Sequence, residues 1–205
     1  MKNIIVVLLV LATCLPGVYV YGQEADVSDM PIEISGSRKG VRTSTDVAVI
    51  AMPVATLAIA IVKQDWKGIA LGAGECAGTF AVTYGLKYLV HKKRPDGSDN
   101  HSFPSGHTSL AFADASFVMR RYGWQFGVPM YAVAGYVAWG RTYAKKHDFW
   151  DVLAGAAIGS SFGLLCTTPF AKEHNMSVGP TLIETPTPDG SNTFVSFGVG
   201  GNITF

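Results

Sequence analysis

A chain of 205 residues is long enough to bury one ordinary core. Its residues are 48% hydrophobic and only 15% charged, far below the roughly one quarter usual for soluble domains. The net charge of +1 says nothing about nucleic acid by itself, but without a basic stripe no nucleic-acid partner is expected, and three cysteines argue against a disulfide scaffold.

The N-terminus reads as an export signal. Lys2 precedes an apolar run from Ile4 to Leu15, Pro16-Gly17 breaks it, and cleavage fits after Gly22. Residues 1–22 are therefore expected to be a signal peptide or, uncleaved, a first membrane anchor. Leu11-Ala12-Thr13-Cys14 is a poor lipoprotein box, because threonine precedes the cysteine. Residues 23–46 are polar and are expected as an exposed segment, a short amphipathic helix or a loop. Thr45-Asp46 would cap the helix that follows.

Five apolar runs then predict helices. They cover Val47 to Val62, Gly68 to Val90, Gly106 to Met119, Gly127 to Gly140 and Asp148 to Thr168. The first is short for a bilayer span of about 20 residues and contains Pro53, which membrane helices tolerate. Gly72, Gly74 and Gly78 in the second run, and Gly155, Ala156, Ala157, Gly159, Ser160 and Ser161 in the fifth, would let neighbours approach closely. Glu75 lies inside the second run, where a carboxylate is functional, turned to the bundle or near the membrane surface. Cys76 and Cys166 read as small buried hydrophobes, and no Cys/His spacing suggests zinc. After Pro169, Thr185 to Gly190 is a turn-rich linker, while Thr193 to Val199 and Ile203 to Phe205 look like strands without a visible partner. The expected fold is all-α: a bundle of about five to six helices over residues 47–168, with a short strand-like tail over 169–205. The helices either span a membrane or pack as a soluble periplasmic bundle. Placing residues 23–46 outside puts Lys63, Lys67, Arg120 and Arg121 inside, as a cytoplasmic face requires.

Polar residues interrupt the apolar pattern in three places. Lys87 and Arg94 are seven apart, so a helix would set them on one face. Pro95 would stop that helix. Pro104-Ser105-Gly106-His107 reads as loop, cap and first turn. Ser105 would cap the helix, and the Gly106 N–H would be open to an anion. His107 would stand ready to protonate a leaving oxygen. Arg141 adds a third cation. His147 and Asp151 are four apart, so a carboxylate could fix one imidazole nitrogen and leave the other free to attack. Singly, each has a bland reading as a helix end, a turn or a cap. Together they form a site for holding and displacing a phosphoryl group.

The order Lys-x6-Arg-Pro, Pro-Ser-Gly-His and Arg-x5-His-x3-Asp closely resembles the type 2 phosphatidic acid phosphatase superfamily. That group includes membrane lipid phosphatases, class A acid phosphatases and vanadium haloperoxidases. The resemblance runs from Lys87 to Asp151. It implies that His147 is the nucleophile and forms a phosphohistidine, that Asp151 orients it, and that His107 is the general acid. It implies that Lys87, Arg94, Arg141, Ser105 and the Gly106 N–H bind the phosphate, with no metal or other cofactor. Where the family usually has serine before the arginine, this chain has Gly140. The implied function is hydrolysis of a lipid phosphate or diphosphate at the periplasmic face of a bacterial inner membrane. Phosphatidic acid, phosphatidylglycerol phosphate, isoprenyl diphosphate and lipid A are the candidate substrates. A soluble periplasmic acid phosphatase and a non-catalytic phospholipid-binding protein are the alternatives.

Overall fold

The computed structural model describes residues 36–170, 177–186 and 193–202. The expected export signal, Cys14 and the final Ile203 to Phe205 lie outside the described residues. The helical unit holds α1 (Gly36–Val62), α2 (Trp66–Val90), α3 (Gly106–Tyr122), α4 (Trp124–Tyr143) and α5 (Phe149–Leu165). The expected all-α bundle therefore forms. A separate unit carries β1 (Ser177–Pro186) and β2 (Thr193–Asn202), which pair antiparallel with Ser177 opposite Asn202 and Pro186 opposite Thr193. The strand expected from Thr193 thus has its partner in β1, a segment the sequence reading passed over.

α1 begins at Gly36, well before the expected Val47, so residues 36–46 of the polar stretch are helix, largely exposed, and continuous with the apolar run. Its hydroxyls are absorbed locally: Thr43, Ser44 and Thr45 donate to the carbonyls of Lys39, Val41 and Arg42. Two tyrosines of α4 hold the same stretch. Ser44 pairs with Tyr136 at 2.6 Å and Ser37 with Tyr143 at 3.4 Å. Asp46 therefore sits inside a helix and is not a cap.

α2 starts at Trp66, where Asp65 caps it by accepting from the Gly68 N–H at 2.8 Å. It ends at Val90 because His91 turns left-handed (φ 46°). The stop comes before Pro95, and Arg94 lies in the loop rather than on the helix face with Lys87. α3 and α4 are joined through Gly123 alone, whose φ of 93° favours glycine. α5 begins with Asp148 as its cap, in a reciprocal box with Asp151.

α3 is the hub. Its apolar side packs on α1 and α4 through Met52, Ala111, Phe117, Met130 and Val137. Its other side meets α5 almost backbone to backbone. A Cβ on Gly155 would lie 2.7 Å from the Ser105 carbonyl oxygen. On Gly159 it would lie 2.0 Å from that of Ser109, and on Gly163 2.5 Å from that of Ala113. Only hydrogen fits at these three positions. In α2 Gly78 fits against Phe162, whereas Gly74 meets nothing within 4 Å. At the far end from Lys87, Arg121 donates to both oxygens of buried Asp65 at 2.6 and 2.7 Å, and the Tyr122 hydroxyl adds a third bond. Cys76 is half-buried and Cys166 is exposed, so the buried reading fails for Cys166, which follows the last turn of α5.

Candidate active site

The end of α2, the start of α3, the end of α4 and the start of α5 meet at one end of the bundle. The structure brings every motif residue there. Lys87 is buried and donates to the His101 carbonyl at 2.7 Å, and its Cε lies 3.7 Å from where a Gly106 Cβ would be. The Ser105 N–H donates to the Asp151 carbonyl at 2.9 Å and ties the α3 start to α5. The Ser105 hydroxyl does not cap α3 as expected; it pairs with Thr108 Oγ1 at 3.0 Å.

Arg94 reaches His147 from its loop. Its Nε donates to Asp99 at 2.7 Å, and its Nη1 lies 3.2 Å from His147 Nε2. Burial works against the Asp99 carboxylate, but Arg94 and the His101 N–H outweigh it and hold Asp99 below the usual range. Lys146 and Asp96 form a second buried pair in this loop system at 2.5 Å. Asp96 is likewise held low: burial raises it, and Lys146 and Ser98 more than compensate.

His147 is buried, and its Nδ1 donates to the Ser102 carbonyl at 2.8 Å. Asp151 Oδ2 is 3.9 Å away, too far for a hydrogen bond. The expected His147–Asp151 pairing is thus indirect. His147 precedes α5 instead of lying on it, so the four-residue helix spacing does not apply. Asp151 is engaged elsewhere: it accepts from Lys92 Nζ at 2.8 Å, from the Ser102 hydroxyl and from the Asp148 N–H. Ser102 therefore bridges the two, with its hydroxyl on Asp151 and its carbonyl on His147. The tautomer that results carries its proton on Nδ1 and its lone pair on Nε2, facing Arg94. Burial, with the charges of Arg94, Arg141 and Lys87, pushes the imidazole down to about 3 against the pull of Asp151. The ring is neutral at any physiological pH.

Sequence reading missed Asp46. From α1, its Oδ1 accepts from His107 Nε2 at 2.8 Å and from Arg141 Nη1 at 2.6 Å. Gly140 explains how it gets there. A Cβ at Gly140 would lie 2.4 Å from Thr45 Cγ2, so the departure from serine is where α1 seats against α4. Lys92, Asp99 and Ser102 were also missed, and no local pattern marks them.

The profile of the PAP2 superfamily matches residues 67–174. Over 130 residues the chain is 31% identical to the lipid A 4'-phosphatase of Helicobacter pylori, covering 58% of this chain and 66% of that one. Over 83 residues it is 41% identical to the lipid A 1-phosphatase of Porphyromonas gingivalis, covering 38% of this chain and 18% of that one. The chain thus spans slightly less than two thirds of the first relative and a small part of the second. Two crystal structures share the fold. Aquifex aeolicus LpxE superposes with a TM-score of 0.55 at 18% identity, covering 63% of this chain and 84% of that one. The transmembrane PAP2 type phosphatidylglycerolphosphate phosphatase of Bacillus subtilis gives 0.53 at 18% identity, covering 78% and 81%. The matched profile takes in more than half of the chain and every motif residue from Lys87 to Asp151, so this chain belongs to the PAP2 superfamily.

Proposed function

We propose that the chain is a phosphatase that removes a phosphoryl group from a membrane lipid through a phosphohistidine on His147. The observation that carries this reading is the His147 ring: proton on Nδ1 at Ser102, bare Nε2 turned toward Arg94. Lys87, Arg94 and Arg141, with the Gly106 N–H at the α3 start, neutralise the non-bridging oxygens. Nε2 attacks phosphorus, and the bond to the lipid oxygen breaks. His107 gives that oxygen a proton. Water then attacks the phosphohistidine, His107 takes the water's proton back, and inorganic phosphate leaves. The cations on the protein supply the charge that a metal would otherwise bring.

The lipid character of the substrate rests on two supports. Both curated relatives are named lipid A phosphatases. The helical unit also exposes a broad apolar surface that includes Val47, Val54, Val82, Val128 and Leu153. Among the described residues α1 is the one helix long and apolar enough to cross a membrane by composition. Exposed aromatics cluster at both ends of the bundle: Tyr88, Trp139, Tyr143 and Trp150 near the site, and Trp66, Trp124 and Phe126 at the other end. This is how membrane interfaces are marked. On this reading the bundle is embedded with its site at head-group level, and we assign that level to the periplasmic face of a bacterial inner membrane because Lys63 and Lys67 lie at the opposite end. Lipid A is the first substrate to assay, before phosphatidic acid, phosphatidylglycerol phosphate and isoprenyl diphosphate.

The test is a quench experiment with 32P-labelled lipid phosphate in excess chelator. Wild-type protein should release phosphate and show an acid-labile, base-stable adduct, and His147→Ala should show neither. An active His147→Ala protein, or activity lost to chelator and restored by magnesium, would refute the scheme.

A further inference from the structure

The loop between α2 and α3 gives each ring nitrogen of His147 a neighbour: Ser102 at Nδ1 and Arg94 at Nε2. The Ser102 N–H donates to the Lys92 carbonyl at 2.8 Å, which closes the loop and makes neighbours of two residues ten apart in sequence. Their side chains then converge on one carboxylate. Lys92 Nζ donates to Asp151 Oδ1 at 2.8 Å, and the Ser102 hydroxyl donates to Oδ2. The Ser102 carbonyl accepts from His147 Nδ1 at 2.8 Å. The path from Asp151 to the nucleophile thus crosses one residue, entering at its hydroxyl and leaving at its carbonyl.

Lys92 also pairs with Asp148, and both of those side chains are partly exposed. That pair alone would be an ordinary surface ion pair, which contributes little. Asp151 makes the difference. Its side chain is 0% exposed, and a buried carboxylate is costly unless a cation and hydrogen bonds meet it. Lys92 brings the cation to Oδ1, while the Ser102 hydroxyl and the Asp148 N–H hold Oδ2. With both oxygens held, the carboxylate has little freedom to rotate, and the hydroxyl that donates to it is held as well. Ser102 is fully buried, so its carbonyl is a rigid acceptor. A carbonyl accepts and never donates. It therefore selects the tautomer with the proton on Nδ1 and the lone pair on Nε2.

We propose that Lys92 and Ser102 are positioning residues for the nucleophile: Lys92 pins Asp151, and Ser102 carries that restraint to the His147 ring. Asp151 thus acts on the imidazole through Ser102 instead of by direct contact. The inference rests on the phosphatase reading and adds to it two residues that work through His147. A ring that loses this tether still lies in the site, so substrate binds, but Nε2 no longer points in line at phosphorus.

The test is steady-state kinetics of the full chain in detergent micelles. The substrate is whichever of lipid A, phosphatidic acid, phosphatidylglycerol phosphate and isoprenyl diphosphate wild type hydrolyses fastest. Ser102→Ala and Lys92→Ala should each lower kcat by about 10-fold or more and leave KM within about 2-fold. Lys92→Arg, which keeps a cation for Asp151, should recover most of the loss. Ser102→Ala combined with Asp151→Ala should be no slower than Asp151→Ala alone, because both cut the same path. Wild-type kcat in Ser102→Ala, a loss carried by KM, losses that multiply in the double variant, or Lys92→Arg as slow as Lys92→Ala would overturn the proposal. If Ser102→Ala does not fold, the two Lys92 variants decide. If wild type hydrolyses none of the four lipids, the phosphatase reading fails, and nitrogen NMR of protein with isotope-labelled histidine decides the positioning by itself. The His147 ring, assigned by its absence from His147→Ala, should carry its proton on Nδ1 in wild type and exchange between tautomers in Ser102→Ala and Lys92→Ala. A wild-type proton on Nε2, or variants with the wild-type tautomer, would overturn it.

Discussion

Asp46 Oδ1 lies 2.8 Å from His107 Nε2, so a carboxylate from α1 holds the imidazole proposed to protonate the leaving group. The same oxygen holds Arg141, a proposed phosphate ligand. Asp46 lies outside the segment matched by the superfamily profile. A carboxylate on Nε2 keeps a proton at that nitrogen, and the leaving oxygen needs that proton.

Asp46→Ala should therefore lower kcat by about 10-fold or more on an alkyl phosphate. On a phenyl ester whose leaving group needs no proton, the loss should be much smaller. Parallel kinetics on the two esters check this. Equal losses would reduce Asp46 to a packing role. A gain in kcat/KM on both would mean that the carboxylate merely occupies the phosphate position when the site is empty.

The buried neutral His147 ties stability to pH. Its folded value of about 3 lies below the ordinary 6.5, so between these values the unfolded chain binds the extra proton. Stability is therefore full above about 6.5 and falls as pH drops toward 3, by at most about 1.4 kcal/mol per unit from this group. Asp96 and Asp99, both held low, add their losses only below the ordinary carboxylate range. Thermal unfolding in detergent should show Tm falling from pH 7 to pH 4. His147→Gln should make that fall shallower, and an unchanged slope would contradict the buried neutral ring.

At the other end, Asp65→Ala would leave Arg121 buried without its carboxylate. Removing one partner of such a pair costs about 3–5 kcal/mol. Unfolding measurements should show that loss, while the specific activity of the surviving folded protein stays near wild type, because α2 separates the pair from Lys87 by about 33 Å. A fall in specific activity as large as the fall in stability would show that the two ends are coupled.

Sidedness is open to chemical labelling. Asn100 is exposed in the loop at the active-site end, next to Asp99, which must be left to hold Arg94. Gln125 is exposed at the opposite end. A cysteine at Asn100 should react with an impermeant thiol reagent in spheroplasts, and one at Gln125 should not. The reverse pattern would invert the bundle, and reaction at both would favour a soluble one.

The helices and motif residues were legible because each rests on short-range pattern: apolar runs, a proline-serine-glycine turn, cations at run ends. What was not legible depends on partners distant in sequence. Asp46 looked like a cap because polar residues precede it, and the contacts of that stretch with Tyr136 and Tyr143 of α4 are about a hundred residues away in sequence. Lys87 and Arg94 looked like one helix face because nothing local announces the left-handed turn at His91. The His147–Asp151 spacing suggested direct contact, yet α5 starts two residues after His147. Ser102, the actual link between them, sits in a loop whose course no periodicity encodes.

The contact of α5 with α3 has a consequence for tolerance. His107 rides on α3 and His147 on the segment leading into α5, and the three glycines put those two backbones in direct touch. The gap between the histidines is thus gauged by main chain, whose dimensions are fixed by covalent geometry, instead of by side chains that change rotamer. Drift elsewhere in the exposed apolar surface can accumulate without detuning that gap. A single methyl at Gly159 could not be absorbed in the same way, since it would act as a shim between the two halves of the site.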